Sequence, residues 1–447
     1  MRVVALMVMV AGLAALLGAS PAAAESQRED IYPGQDLAAI VNGDDAAVPT
    51  TFYVHGQTGD PSYRVSTPLR LNDGDRLVGD AGTFIERGPA FDPEPTVTIE
   101  GDVGASNVIR AEGTVHIEWV KLVGGTGQYA GGLPVAGTGS GLAMGKASDD
   151  SSVYAVHVTG SDGTGISNAH GTFDRIELDD TTRDPNFLGF TGSGLKAITE
   201  VEVRNSYIHD NQGNGLWCDQ NCSDSAVQPY GFWIHDNLVV RSGRAGIRYE
   251  KVGDLLNAGE ALIERNEVHQ NSQYETRGGI DIRDAQNALV RYNVFGGKNV
   301  ADAAYSPNTG GMAIRASDSG RWDRPDLRNV SIVANVLNGE TVQGCELPDE
   351  IVACSQDSIP ETPIVPETPI DPPPDGVVYV PPPTAAPPTV APPTGTTPTG
   401  APPTSGFPPP APDSTVGCRL DAAPPAECAR GDNDHDDDHQ EFRHHDD

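Results

Sequence analysis

One short pattern of apolar and polar positions returns along the middle of the chain. It reads Gly215-Leu216-Trp217-Cys218-Asp219, then Gly246-Ile247-Arg248-Tyr249-Glu250, then Gly279-Ile280-Asp281-Ile282-Arg283. Each copy is a turn glycine followed by strict alternation, which puts Leu216/Cys218, Ile247/Tyr249 and Ile280/Ile282 on one strand face. The opposite face carries Trp217/Asp219, Arg248/Glu250 and Asp281/Arg283. Copies of a strand separated by roughly 30 residues predict a solenoid.

The pattern extends to Gly141-Leu142, Gly165-Ile166, Gly194-Leu195 and Gly311-Met312-Ala313-Ile314-Arg315. A second column precedes it, of apolar pairs five apart: Val153/Val158, Phe173/Leu178, Val203/Ile208, Ile234/Val239, Ile263/Val268, Val290/Phe295 and Ile332/Leu337. Inside the later pairs sit Ser206, Asn237, Asn266, Asn293 and Asn335. A small amide at the same turn position predicts a ladder whose rungs bond to each other and to the bend. No 3.6-residue period competes, so the expected architecture is an all-β solenoid.

The run Asn205-Ser206-Tyr207-Ile208-His209-Asp210-Asn211-Gln212-Gly213-Asn214-Gly215-Leu216 resembles the repeat of right-handed parallel β-helix proteins, the pectin-lyase-like group. The resemblance covers roughly Asp30 to Gly339 and implies a right-handed single-stranded parallel β-helix with an N-terminal cap helix. It further implies a surface groove and a glycan partner. Its activities span lyases, hydrolases, epimerases and non-catalytic adhesins, so it fixes the fold and not the chemistry.

Composition adds three things. Met1 to Ala24, with an apolar run through Leu17 and Ala22-Ala23-Ala24 at its end, has the form of a secretory signal peptide, so a secreted, extracellular chain is expected. A net charge of −34 argues against nucleic-acid and anionic-membrane partners, and no later segment is apolar enough to insert in a bilayer. The acidity is uneven, however: between Arg241 and Arg328, 11 Arg and 2 Lys face 12 Asp or Glu, a net of +1. An arginine-rich, near-neutral stretch in an acidic protein is a candidate surface for an anionic ligand. The six cysteines fall in close pairs, Cys218/Cys222, Cys345/Cys354 and Cys418/Cys428, which in an exported chain predicts three local disulfides. A zinc site at Cys218 and Cys222 lacks a second ligand pair of suitable spacing.

Taken in order, residues 1–24 are the signal peptide and 25–340 the β-helix domain. Leu37, Ile40 and Val41 share one face of a short cap helix begun by Asp36, and Thr51–His55 is read as the first strand. About seven coils follow between Val115 and Leu337. Insertions at Val123–Ser140, Asp179–Ser193, Asn271–Arg277, Gly297–Gly310, Gln220–Tyr230, Val252–Glu260 and Ser317–Arg328 all flank the recurring strand, and so should wall in its outer face. Residues 341–358 hold a cysteine pair, and 359–415 are a Pro/Thr-rich linker with 21 prolines between Pro360 and Pro412. Residues 416–447 are a small cysteine loop and an acidic, His-rich tail, for which disorder is expected.

If the coils are in register, one exposed column carries Lys196, Trp217, Arg248, Asp281 and Ala313, and beside it run Asp219, Glu250, Arg283 and Arg315. Trp217 offers a sugar a flat apolar surface, with Lys196 and Arg315 as further substrate contacts. Asp219, Glu250 and Asp281 supply carboxyl groups for a glycosidase, Asp219 with Glu250 at retaining spacing and Asp219 with Asp281 at inverting spacing. Arg248 and Arg283 would instead clamp a uronate carboxylate or take its neighbouring proton in a lyase or epimerase. In the resembling lyases a calcium ion often helps, so calcium is the one cofactor in view. A salt-bridge ladder across Lys196–Glu250 and Arg248–Asp281 needs no catalysis at all. The expected function is a monomeric, secreted protein acting on an acidic polysaccharide, with a non-catalytic glycan-binding or surface-adhesive solenoid on a proline stalk as the alternative.

Overall fold

A left-handed backbone residue stands at the same bend of successive coils: Asn205, Asp236, Arg265, Tyr292 and Ala334 all have φ between 51° and 57°. Non-glycine side chains adopt that conformation only where something offsets a cost of about 1–3 kcal/mol. The residue that follows each one is the predicted amide column. Asn237 accepts from Ser206 N (2.9 Å), Asn266 from Asn237 N (3.1 Å), Asn293 from Asn266 N (3.0 Å) and Asn335 from Asn293 N (2.9 Å). The Nδ2 groups of Asn237, Asn266 and Asn293 donate to the next amide oxygen and to the Val203, Ile234 and Ile263 carbonyls of the preceding coil.

In the computed structural model, residues 26–355 are described except 57–62, 103, 131, 136, 146–149, 188–191, 219–230, 251–260, 299–303, 319–326 and 349–350. The expected signal peptide, Asp219, Cys222, the Pro/Thr-rich stretch and the tail with Cys418 and Cys428 lie outside the described residues. The chain is the all-β, right-handed single-stranded parallel β-helix expected from its sequence. The first face is built from Leu69–Leu71, Asn107–Ala111, Ser140–Met144, Asn214–Cys218, Ile247–Glu250, Ile280–Arg283 and Met312–Ser317. The second includes Phe232–His235, Ala261–Glu264, Gln286–Arg291 and Arg328–Val333; Ile166–Asp174 and Ser193–Arg204 run through both. The third is a separate nine-stranded parallel sheet from Tyr63–Val65 to Val294–Phe295.

The predicted inward columns are the core. Leu216, Cys218, Ile247, Tyr249, Ile280 and Ile282 are all fully buried in one continuous cluster with the second and third faces. Helix Leu37–Asn42 closes the N-terminal end of that cluster through Leu37 and Val41, with Asp36 capping Ala39 N at 3.0 Å. The first strand is Gln27–Ile31, one earlier than expected, paired to Thr50–Val54. Only Ile31 of it is buried, so its apolar signal is a single residue.

Two further features escaped the pattern. A second ladder lines the bend between third and first faces: Ser242 N donates to Asn271, Asn271 N to Asn308, and Asn308 Nδ2 to Glu340. Arg241 and Gln270, just before Ser242 and Asn271, are again left-handed. The hairpin Thr83–Arg87/Ala90–Glu94 leaves the solenoid and lies across the third face, where Phe91 bridges Ser206 and Ala90 packs on Tyr207, Leu238 and Val240. Cys345 and Cys354 are disulfide-bonded, as expected. Cys218 is also in a disulfide, with its partner outside the described residues.

On the second face His235 sits between two acids, Nε2 at 3.1 Å from Glu202 and Nδ1 at 2.6 Å from Asp236, with Trp233 stacked on its ring. Burial alone would lower its pKa, but the bonds to Asp236 and Glu202 outweigh burial and raise it above 6.5. Burial likewise opposes ionisation of Glu202 and Asp236, yet His235 with Arg204 or Arg265 holds both carboxyls below their ordinary values.

Two outcomes follow from these bonds. Asn266→Ala strands buried groups on both neighbouring coils and should cost about 3 kcal/mol, read as a lower denaturant midpoint at unchanged slope. A raised histidine pKa stabilises fully below the unfolded value near 6.5 and loses that contribution as pH climbs through the folded value. His235→Gln should therefore destabilise more at pH 6 than at pH 9; an equal loss at both would remove the ion pairs from the account.

Candidate functional site

The side chains that leave the first face form a row. Arg70 lies beside Arg110, and Arg110 beside Ala143. After a bulge between Ile166 and Ala169, the row continues as Lys196, Trp217, Arg248, Asp281, Arg315 and Gln343, each opposite the next. Five cations and one carboxylate thus share one line with about 4.8 Å between coils. One register differs from expectation. Asp281 faces Arg315, not Ala313, because the strand beyond Gly310-Gly311 enters two residues further along; Arg283 faces Ser317.

The row is far less exposed than alternation suggested. Trp217 is 7% exposed, Arg248 5%, Glu250 9% and Asp281 0%. Neighbouring long side chains stack along the helix axis and bury one another. Lys196 Nζ is 4.2 Å and Arg248 Cζ 5.4 Å from the centre of the Trp217 ring, from the coils on either side. Trp217 is therefore a spacer holding two cations by cation–π contact, not the free sugar platform expected. Asp281 accepts from Arg315 Nε at 2.9 Å and Nη2 at 3.3 Å, with Arg248 Nε at 4.0 Å. Arg248 Nη2 pairs with Glu250 at 2.7 Å. Arg283 turns to Asp284 at 3.8 Å and joins neither. Asp219 lies outside the described residues.

The insertion Asn271–Arg277 brings groups that the repeat pattern did not single out. Arg244 Nε pairs with Glu275 at 2.9 Å, and Arg277 Nε pairs with the same carboxylate. Arg277 is largely buried against Arg248 and Asp281. Burial first, then the Arg248 charge, lowers its pKa from the arginine value. Its Nη1 is buried without a hydrogen-bond partner among the described residues. The Tyr274 ring packs against Gly243, where a Cβ would come within 2.5 Å of it, and it remains 66% exposed. The sequence signal was the insertion itself, between third and first faces; only contact could pick out Tyr274 and Arg277 within it, and Arg244, on the coil before, as a partner of Glu275.

A calcium cage needs six to eight oxygens. Of the acids on this face, Asp281 and Glu250 are both bound to arginine and so do not fit that ion, and no step through calcium is derived.

The fold and this row define a parallel β-helix protein with a basic, arginine-lined strip on one face. No family model and no curated protein matches the chain. Among solved structures it is similar to the A-modules of two Azotobacter vinelandii mannuronan C-5 epimerases. AlgE6 is 14% identical, covering 71% of this chain and 92% of that one, with a TM-score of 0.38. AlgE4 is 12% identical, covering 74% and 96%, with a TM-score of 0.36. It is also similar to pectate lyase Pel9A, at 11% identity, 72% and 78% coverage and a TM-score of 0.33. Likeness at this level assigns no chemistry, which rests on the residues of this chain.

Asp281→Asn leaves the buried Arg248 and the half-buried Arg315 guanidinium groups beside an uncharged amide. It should cost about 3 kcal/mol or more in unfolding free energy. A variant of wild-type stability would mean that Asp281 is not the neutralising partner of Arg248 and Arg315.

Proposed function

We propose that this chain is an exported protein acting on an acidic polysaccharide laid along the first face. The carrying observation is the row of five cations at one strand position in a protein of net charge −34. A linear polyanion matches a linear cation row, and guanidinium groups recognise carboxylates by paired bonds. Tyr274, exposed and packed against Gly243, supplies the stacking surface for a sugar ring that Trp217 cannot.

Lyase or epimerase chemistry fits the described residues better than glycoside hydrolysis. Hydrolysis needs one protonated and one ionised carboxyl group, and Glu250 and Asp281 are both engaged by arginine. Removal of the proton beside a uronate carboxylate needs a cation on that carboxylate and a base. Arg277 is the group we propose to take that proton, on its place beside Arg248 and Asp281; burial and the Arg248 charge lower its pKa, and its pair with Glu275 opposes them. Arg248 and Arg315 then stand on the carboxylate side. The same engagement of Glu250 and Asp281 also favours a second reading, a non-catalytic glycan-binding solenoid on its proline stalk.

Polygalacturonate, alginate, chondroitin sulfate and a neutral glucan separate these outcomes when retention, unsaturated product and epimer content are followed together. Uronate polymers should be retained and the neutral glucan not, with retention falling steeply as salt is added. Arg277→Lys should lower turnover at least about 100-fold. Tyr274→Ala should weaken binding about tenfold. Retention of uronate polymers without product supports the binding-only reading, and equal retention of neutral glucan overturns both.

A further inference from the structure

The cation row on the first face has a gap. Arg110 faces Ala143 and Ala143 faces Ser167, so small uncharged side chains stand in the row between Arg110 and Lys196. The margin beside this gap changes in the same sense. Residues 123–140, which lead into the Ser140–Met144 strand, carry no charged side chain. They present Tyr129, 45% exposed, and Leu133, 56% exposed, on a small hairpin. Of the five large apolar side chains left exposed among the described residues, these two and Tyr274 stand at the bend between third and first faces.

Tyr129 is held in place. Its hydroxyl donates to Asp184 and accepts from Asn186 Nδ2 at 3.2 Å, and its ring stands edge-on to the buried Phe187 ring, centres 5.9 Å apart. Phe187 fills the space beside Gly127, where a Cβ would come within 2.5 Å of it, so the insertions 123–140 and 179–193 pack on each other. Gly127 N donates to Asp162 at 3.1 Å. Two carboxylates, Asp162 and Asp184, therefore border this platform, and Arg183 of the same insertion is 3.6 Å from Asp180.

We infer that the preferred ligand is a heteropolymer in which uronates are joined to uncharged sugars, the uronate at Arg248, Arg277 and Arg315 and an uncharged sugar at Tyr129. The inference rests on the reading of this face as an acidic-polysaccharide site. A uronate at Tyr129 would stand against Asp162 and Asp184, whose charge repels its own. The hydroxyls of an uncharged sugar donate to such carboxylates instead, and its apolar ring face covers Tyr129 and Leu133. Five coil steps separate the strand that follows Tyr129 from the strand that follows Tyr274. At about 4.8 Å each this is roughly 24 Å, a span that one polymer of several sugars covers.

The test compares polygalacturonate with two alternating polymers: the galacturonate–rhamnose backbone of rhamnogalacturonan, and hyaluronan, which alternates glucuronate with N-acetylglucosamine. Affinity per uronate is read by titration calorimetry at one salt concentration for the full chain and its Tyr129→Ala, Tyr129→Phe and Tyr274→Ala variants. Wild type should bind at least one alternating polymer about tenfold more tightly than polygalacturonate, although its charge is less dense. Tyr129→Ala should bring that ratio to about one, and Tyr129→Phe, which keeps the ring, should preserve it. Tyr274→Ala should weaken all three polymers alike. A wild-type ratio of one or less for both alternating polymers, or a ratio that survives Tyr129→Ala, overturns the inference and leaves the acidic-polysaccharide reading standing. Failure to bind any of the three overturns that reading and the inference with it. Should Tyr129→Ala lose its β circular dichroism, Leu133→Ser, on the same hairpin and more exposed, decides in its place.

Discussion

Each coil of this protein must turn sharply without helix or hairpin, and it does so by placing one residue in the left-handed region. The amide that follows satisfies the bend of the coil before it and bonds the amide of the coil after it. Asn237, Asn266 and Asn293 each use both ends of the side chain, accepting from the coil before and donating to the coil after. A chain of buried bonds of this kind has value only when every rung is present. Register along the whole solenoid depends on it, because a slipped coil would strand buried amides on both sides.

Strict register imposes a second constraint. Equivalent positions of successive coils lie about 4.8 Å apart, so a row of like charges would repel itself. On the first face the sequence alternates instead: Lys196, then Trp217, then Arg248, then Asp281, then Arg315. A cation–π contact and a paired carboxylate separate the cations, which is how Arg248 sits buried between half-buried Lys196 and Arg315. Where the row carries two arginines in succession, Arg70 and Arg110, both are exposed to water. Glu250 and Asp281, two of the carboxylates expected to carry out chemistry, are instead partners of these arginines. The groups left for a ligand stand at the margin, on the Asn271–Arg277 insertion.

The third face obeys the same rule by a different device. Its stacked acids are interleaved with His157 and His209, and the hairpin from residues 83–94 covers them with an arginine and an aspartate of its own. Covering this face also buries Tyr207, Leu238 and Val240, which no coil could bury alone.

The sequence by itself determined the solenoid, its inward columns, the cap helix and the amide ladder. All of these are written as residue types at fixed spacing, and burial acts on them through period two alone. It also carried the insertion that bears Tyr274 and Arg277, and most of the cation row. What only the tertiary structure decided was burial of outward positions and partnership between coils. Alternation says which way Trp217 points, but whether its faces are free depends on what stands at the same position one coil before and after. A two-residue offset beyond Gly310 moved Arg315 onto Asp281, and nothing local in the sequence marks that offset. The second ladder mixes Ser242 with asparagines, and the hairpin meets the coil of Ser206 across more than a hundred residues of chain. Such contacts are set by packing in three dimensions, and a one-dimensional period does not contain them.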